Sequence, residues 1–147
     1  MRMKRLITNN KQNGAAAIEF ALIASIFFTI LIGTLEFGRV LFYMNSAAEA
    51  TRFGARIAVV CDINAPGIKS NMKKRLAILA DNNIDVKYVP GGCSQASCKS
   101  ISVAITGVTV ATFIPFVPDS VNAISLPSFS TTLPRESMDS TDNSLCV

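Results

Sequence analysis

Residues 13–39 read NGAAAIEFALIASIFFTILIGTLEFGR, and the reading of this stretch decides the fold. From Ala15 to Leu35 run 21 residues whose only charge is Glu19. A helix of that length rises about 30 Å, the thickness of a bilayer's hydrocarbon core. A transmembrane helix is therefore predicted. On its N-terminal side stand Arg2, Lys4, Arg5 and Lys11, with no acid among the first 14 residues. Lys and Arg stay on the cytoplasmic side, so everything after the span is expected outside. A cleaved secretory signal fits less well. Its apolar core is about 7–15 residues and ends at a small-x-small site, and neither feature is present here.

Outward from the span, residues 36–60 read EFGRVLFYMNSAAEATRFGARIAVV and still carry a helical pattern. Phe42, Ala50, Phe53, Ile57 and Val60 recur at spacings of three and four, and no proline occurs before Pro66. One continuous helix from Ala15 to about Val60 is expected, apolar all round in its first half and amphipathic in its second.

The rest of the composition narrows the function classes. The chain has 147 residues, half of them apolar, with a mean hydropathy of +0.39 and neither His nor Trp. The commonest general base and metal ligand is thus missing. Four of the 14 basic residues lie in the leader, leaving ten to balance ten acids. A nucleic-acid-binding domain would carry its excess charge across its body, so no nucleic-acid partner is expected.

Glu19 is the costly residue, at about 2–3 kcal/mol for a carboxylate inside a membrane helix and less near the interface. One reading makes it a helix-start carboxylate favoured by the dipole. A sharper one starts from Gly14. A cut after Gly14 would leave Ala15 with a free amine, which Glu19 could neutralise on its own chain or on a neighbouring copy. Such a pair is strong in low dielectric, although desolvation takes back much of the gain.

A basic leader, Gly14, AAAI, Glu19 and Phe20 together resemble the class III signal of type IV pilins and pseudopilins. The longer pattern resembles the TadE-like family of minor pseudopilins, from tight-adherence pilus systems. Its acidic-aromatic-Gly-Arg motif is matched by Glu36, Phe37, Gly38 and Arg39. Its second motif, ending in R-x-G-A-R, is matched by Arg52, Gly54, Ala55 and Arg56. The resemblance implies a pilin-like α+β fold and cleavage between Gly14 and Ala15 by prepilin peptidase. Gly14 has no side chain to clash there, and its poor helix propensity helps keep the scissile bond extended. It further implies a role for Glu19 and Phe20 in assembly, with other pilins and the pilus assembly platform as partners. The place implied is the inner membrane, with the N-terminus cytoplasmic and the head periplasmic. The size of that head is unlike the very short major subunits of such pili.

Glu36–Arg39 and Glu49–Arg52 are i,i+3 pairs, worth about 0.2–0.5 kcal/mol each if exposed. Contacts with the head, with neighbouring subunits or with lipid are the alternative. Gly33, Gly38 and Gly54 are candidates for close helix approach, without Gly-x3-Gly spacing.

Beyond the helix, Pro66 marks a fresh helical start. In PGIKSNMKKRLAILADNN (66–83), Ile68, Met72, Leu76, Leu79 and Ala80 share a face. Lys69, Lys73, Lys74 and Arg75 form a solvated opposite face, and the helix is expected to reach about Ala80. DVKYVP (85–90) alternates as a strand. SISVAITGVTVATFIPFVP (100–118) places Ile101, Val103 and Ile105 on one side, with a phase shift at Gly107 that suggests a bulge before Val108 and Val110. Pro115 and Pro118 end that strand. A third strand within AISLPSFSTTLPRES (123–137) is interrupted by Pro127 and Pro134. Three antiparallel strands on the second half of the long helix are expected, followed by a polar tail from Glu136 that is loose except at its end. The predicted layout is leader 1–14, membrane half 15–35, amphipathic half 36–60 and exported head 61–147.

Four cysteines, Cys61, Cys93, Cys98 and Cys146, read as disulfides in an exported domain, with three connectivities possible. Cys93 and Cys98 in GGCSQASC are close enough to bridge locally, which leaves Cys61 with Cys146. Zinc prefers C-x2–4-C pairs with His, so no metal and no cofactor are expected. Asp62, Asp81, Asp85 and Asp119 are scattered and read as caps and turns rather than an acid–base pair. A structural and assembly protein is expected rather than an enzyme. An uncleaved single-pass anchor carrying an extracytoplasmic binding domain is the alternative, and processing at Gly14 tells the two apart.

Overall fold

The computed structural model describes residues 13–113 and 123–147. The leader's Arg2, Lys4, Arg5 and Lys11, along with Pro115, Pro118 and Asp119, lie outside the described residues. The first element is helix α1, Asn13–Ala58, a single helix of 46 residues. The chain divides between Phe37 and Gly38 into two compact units.

In the first unit the helix buries almost nothing. Phe20, Ile23, Ile26, Phe27, Phe28, Ile30 and Leu35 are all more than half exposed. An apolar surface of this extent is not stable against water. The polar groups within it are turned inward on the helix. Ser25, Thr29 and Thr34 donate their hydroxyl protons to the carbonyls of Leu22, Ser25 and Ile30 at 2.7–2.8 Å. This satisfies each hydroxyl locally, as a hydrocarbon environment demands. By length and composition this helix is fit to cross a membrane.

The second unit holds the core. Helix α2 is Pro66–Arg75, with proline at its start and Lys73, Lys74 and Arg75 in its last turn, where the dipole favours cations. It stops five residues short of the expected Ala80. Leu76 turns extended, and a turn from Leu76 to Leu79 buries both side chains while Ala80 stays outside. Asn83 then fastens this end. Its carbonyl oxygen accepts the Ala80 amide, and its NH2 donates to the carbonyls of Thr106 and Gly107.

Strands β1 (Ile84–Val89), β2 (Ser100–Ile105) and β5 (Phe129–Pro134) form an antiparallel sheet in the order β1-β2-β5. The pairings Val86–Val103–Thr131 and Tyr88–Ile101–Leu133 align the inward side chains across it. Ile101, Val103 and Ile105 on the central strand are fully buried. The sheet meets α1 at a polar contact. Thr131 donates its hydroxyl to that of Thr51 at 3.2 Å, and Thr51 passes its own proton to the Ala48 carbonyl. Thr51, the one buried polar residue among those described, is thereby satisfied.

The architecture is α+β: a long helix, a three-stranded antiparallel sheet and a second, two-stranded sheet. That second sheet replaces the expected bulge. Gly107, at φ +67°, turns the chain out of β2. Strand β3 (Thr109–Ala111) then pairs with β4 (Ala123–Ser125) rather than extending the first sheet. The expected third strand likewise divides into β4 and β5 around Pro127, because a proline cannot donate to a ladder.

The tail is not loose. The amides of Glu136 and Met138 donate to the Val59 carbonyl, and that of Asp139 to Val60. These carbonyls at the C-terminal end of α1 have no helical partner, and the tail supplies one. Met138 follows its amide into the core and is 2 % exposed.

Candidate functional site

Helix α1 carries every residue that the sequence singles out for processing and assembly. At its start, Gly14 is helical, and a Cβ added there would meet nothing within 4 Å. The expectation of an extended Gly14–Ala15 bond is thus corrected: the helix already begins at Asn13. Glycine costs about 1 kcal/mol relative to alanine in a helix, which makes this first turn cheap to unwind.

Glu19 lies beyond the first turn, and that turn contains no acid. The dipole acts only within the first turn, so the helix-start reading of Glu19 fails on position. Its side chain is exposed, as are Ala15 and Phe20. Among the described residues Glu19 has no ion pair. The carboxylate and the Phe20 ring therefore stand on an apolar helix surface, open to whatever covers it.

The two later motifs have different surroundings. Phe37 is exposed. Arg39 donates from Nη2 to the Ala111 carbonyl at the end of β3, and its guanidinium stacks 4.9 Å from the Phe113 ring. In the second motif Gly54 and Ala55 are buried, while Arg52 and Arg56 point outward. Gly54 faces α2: a Cβ there would stand 2.4 Å from the Met72 sulfur. The alternation R-x-G-A-R thus reads as two buried small residues, one of which, Gly54, admits a neighbouring helix, flanked by two arginines on the solvent side. Of the three glycines weighed for close approach, Gly54 makes one within the chain. A Cβ added at Gly33 or Gly38 would meet no described atom of the same chain within 4 Å, so approach there by a helix of another chain stays an expectation.

The buried face of α1 is made of small residues, Ala47, Ala50, Thr51, Gly54, Ala55 and Ala58, together with Ile57. Phe42, expected on this face, is 64 % exposed. Periodicity in large apolar residues missed the small-residue stripe, whose signal was the alanines of AAEATRFGARIA. Arg52 and Glu49 approach to 3.9 Å with both side chains over half exposed, so the pair adds little.

Both disulfides form. Cys93 joins Cys98, and Cys61 joins Cys146 across 85 residues. The tail runs past α2 at Gly67, whose amide donates to the Cys146 carbonyl. A Cβ on Gly67 would lie 2.1 Å from the Leu145 carbonyl oxygen.

The remaining charges are held within the fold. Lys73 bonds Asp81 at 2.9 Å, and Lys69 donates to the Asp81 carbonyl. Arg75 lies 4.3 Å from the Phe53 ring centre. The basic face of α2 is thus engaged by its own chain at three of four positions. The bond from Lys73, and then its charge, holds the Asp81 carboxyl below the usual range. Asp62 accepts from Gln95, and Asp85 pairs with Lys87 at 3.1 Å. Asp139 is held low by the Thr141 hydroxyl and amide. Among the described residues no three His, Cys, Asp or Glu side chains gather as a metal site would require.

Residues 14–56 match the family model described as TadE-like protein. The match starts at Gly14, takes in Glu19 and ends at Arg56, the last arginine of the second motif. No curated protein and no solved structure matches the chain.

Proposed function

We propose that this TadE-like chain is a minor pseudopilin, a structural and assembly subunit of a tight-adherence pilus. Prepilin peptidase hydrolyses the Gly14–Ala15 bond at the cytoplasmic face of the inner membrane and leaves an ammonium on Ala15. The mature chain stays anchored by its apolar helix, with the head in the periplasm, until the assembly platform takes it up. During uptake Glu19 neutralises the Ala15 amine of a neighbouring pilin, and Phe20 packs between the helices.

The observation that carries this reading is the coincidence of two boundaries. The family match begins at Gly14, and the exposed apolar surface of α1 begins directly after it. An exposed carboxylate within that surface is costly unless a partner supplies the counter-charge.

The deciding measurement is the intact mass of the membrane-extracted protein from cells with and without prepilin peptidase. A start at Ala15 that depends on the peptidase is expected. A chain beginning at Met1 in both would overturn the processing step and favour the uncleaved membrane-anchored binding domain.

A further inference from the structure

We propose that the C-terminal tail, residues 136–147, is a redox-gated strap. While Cys61–Cys146 is closed it is held on the ends of α1 and α2; once that bond is reduced it lifts off as a unit and leaves the sheet intact. The tail forms no helix and pairs with no strand. The ladder of β5 ends just before it, where the Arg135 amide donates to the Lys99 carbonyl. From Glu136 on, the bonds run elsewhere. The amides of Glu136, Met138 and Asp139 reach the carbonyls of Val59 and Val60, and the Ser140 hydroxyl accepts the Asp62 amide. At α2 the carbonyls of Leu145 and Cys146 accept from the Asn71 side chain and the Gly67 amide. Lifting the tail therefore breaks no strand pairing. Of its side chains only Met138 and Cys146 are buried. A chain end held by so few buried groups opens below the free energy of global unfolding.

The disulfide sits where it decides that opening. Cys146 is the last residue but one, so with the bond closed a lifted tail stays tied at both ends. The tie makes a loop of about ten residues from Arg135 to Cys146, and loop-closure entropy then disfavours the lifted state about a hundredfold. With the bond open the far end is free. Access couples the two events in the other direction. Cys61 is 0 % exposed and Cys146 3 %, so no thiolate reaches either sulfur until the strap opens. Reduction by a dithiol is then an exchange in two steps. Its first thiolate attacks one sulfur and expels the other as a thiolate, and its second thiol resolves the mixed disulfide. The protein gains two electrons and two thiols, and the dithiol becomes a disulfide. Cys93 is only partly buried, so its bond to Cys98 has no such gate. A head with Cys61–Cys146 unmade offers a protease a loose end, and a locked head does not. The state of one bond is thus displayed at the C-terminus.

Hydrogen exchange of the full chain in detergent micelles, before and after dithiothreitol, tests the strap. Cys93→Ser with Cys98→Ser leaves a single bond to reduce. Reduction is expected to speed exchange at the amides of Glu136, Met138 and Asp139 about a hundredfold, and to leave those of Ile101, Val103 and Ile105 in β2 unchanged. Should that background fail to fold, Cys61→Ser with Cys146→Ser is compared with the oxidised native chain instead. Equal acceleration in the tail and in β2 overturns the proposal, because the bond then serves the whole head. A tail unaltered by reduction overturns it too. The gate on access is read separately, by maleimide trapping of the thiols released from the native chain. Met138→Ala, which loosens the strap, is expected to speed reduction of Cys61–Cys146 about tenfold or more and to leave that of Cys93–Cys98 unchanged. Reduction of Cys61–Cys146 at the same rate with and without Met138 overturns the gate.

Discussion

Gly54 on α1 faces the buried thioether of Met72 on α2 with no room for a methyl group, since a Cβ would come within 2.4 Å of sulfur and 2.8 Å of Cγ. The two helices meet at that point because one residue has no side chain. Gly54→Ala is expected to destabilise the head. Overpacking costs about 1–3 kcal/mol, and better helix propensity returns up to about 1. Adding Met72→Ala should cost less than the sum of the two single changes, since the second makes the space that the first needs. Urea unfolding of the full chain in detergent measures both.

The two disulfides differ in the length of chain they close. Replacing Cys61 and Cys146 by serine is expected to remove about 4–5 kcal/mol, and replacing Cys93 and Cys98 about 2 kcal/mol, by loop-closure entropy. Equal losses in denaturant titrations would refute the entropic account for this head.

Met138 is buried in the core at φ 47° while its amide caps the Val59 carbonyl. Met138→Ala is expected to cost about 2–5 kcal/mol. Hydrogen exchange should then accelerate first at the amides of Glu136, Met138 and Asp139, ahead of those in β2.

Acid and alkali should weaken the head for different reasons. The carboxyls of Asp81 and Asp139 are lowered in the folded state, by Lys73 and by Thr141. The unfolded chain therefore binds more protons on acidification. Their contribution is complete above the ordinary carboxylate range and is lost as pH falls through the lowered values. Burial raises the Tyr88 hydroxyl above its ordinary 10.0, against the amide bond it accepts from Asn64. Its contribution is complete below the ordinary value and is lost as pH rises through the raised one. Thermal unfolding across pH should give a plateau bounded on both sides, and Tyr88→Phe should extend its alkaline edge.

Glu19→Gln should leave the thermal unfolding of the head unchanged, because among the described residues the carboxylate has no ion pair. Pilus formation, scored by electron microscopy, is expected to fail. Normal pili from this variant would remove the assembly role.

The local and periodic features were legible in the sequence. The apolar span, the fresh start at Pro66, the alternating face of β2 and the short Cys93–Cys98 loop all follow from spacing. The features that escaped depend on partners far along the chain. Nothing near Glu136 signals that its amide will meet the Val59 carbonyl. Nothing near Arg39 signals Ala111, 72 residues on. The helix face was misplaced for a different reason: hydrophobic periodicity weights Phe42, whereas the buried face is made of small residues and close approach to α2 selects Gly54. For the site, the residues of the span and the motifs were readable, but the division of R-x-G-A-R into a packing pair and an outward pair was not.

Ile105, where β2 ends, and Phe129, where β5 begins, are direct partners in the sheet. The chain between them, 106–128, leaves the sheet and returns to the same place, so topologically it is a cassette set into a hairpin. Its Val108, Val110 and Leu126 do lend apolar cover, and a shorter replacement would have to supply that. It is also fastened to the framework, where Asn83 donates to the carbonyls of Thr106 and Gly107 and Arg39 to that of Ala111. A change of length in this cassette would leave the Ile105–Phe129 pairing in register so long as those anchors and apolar side chains are kept.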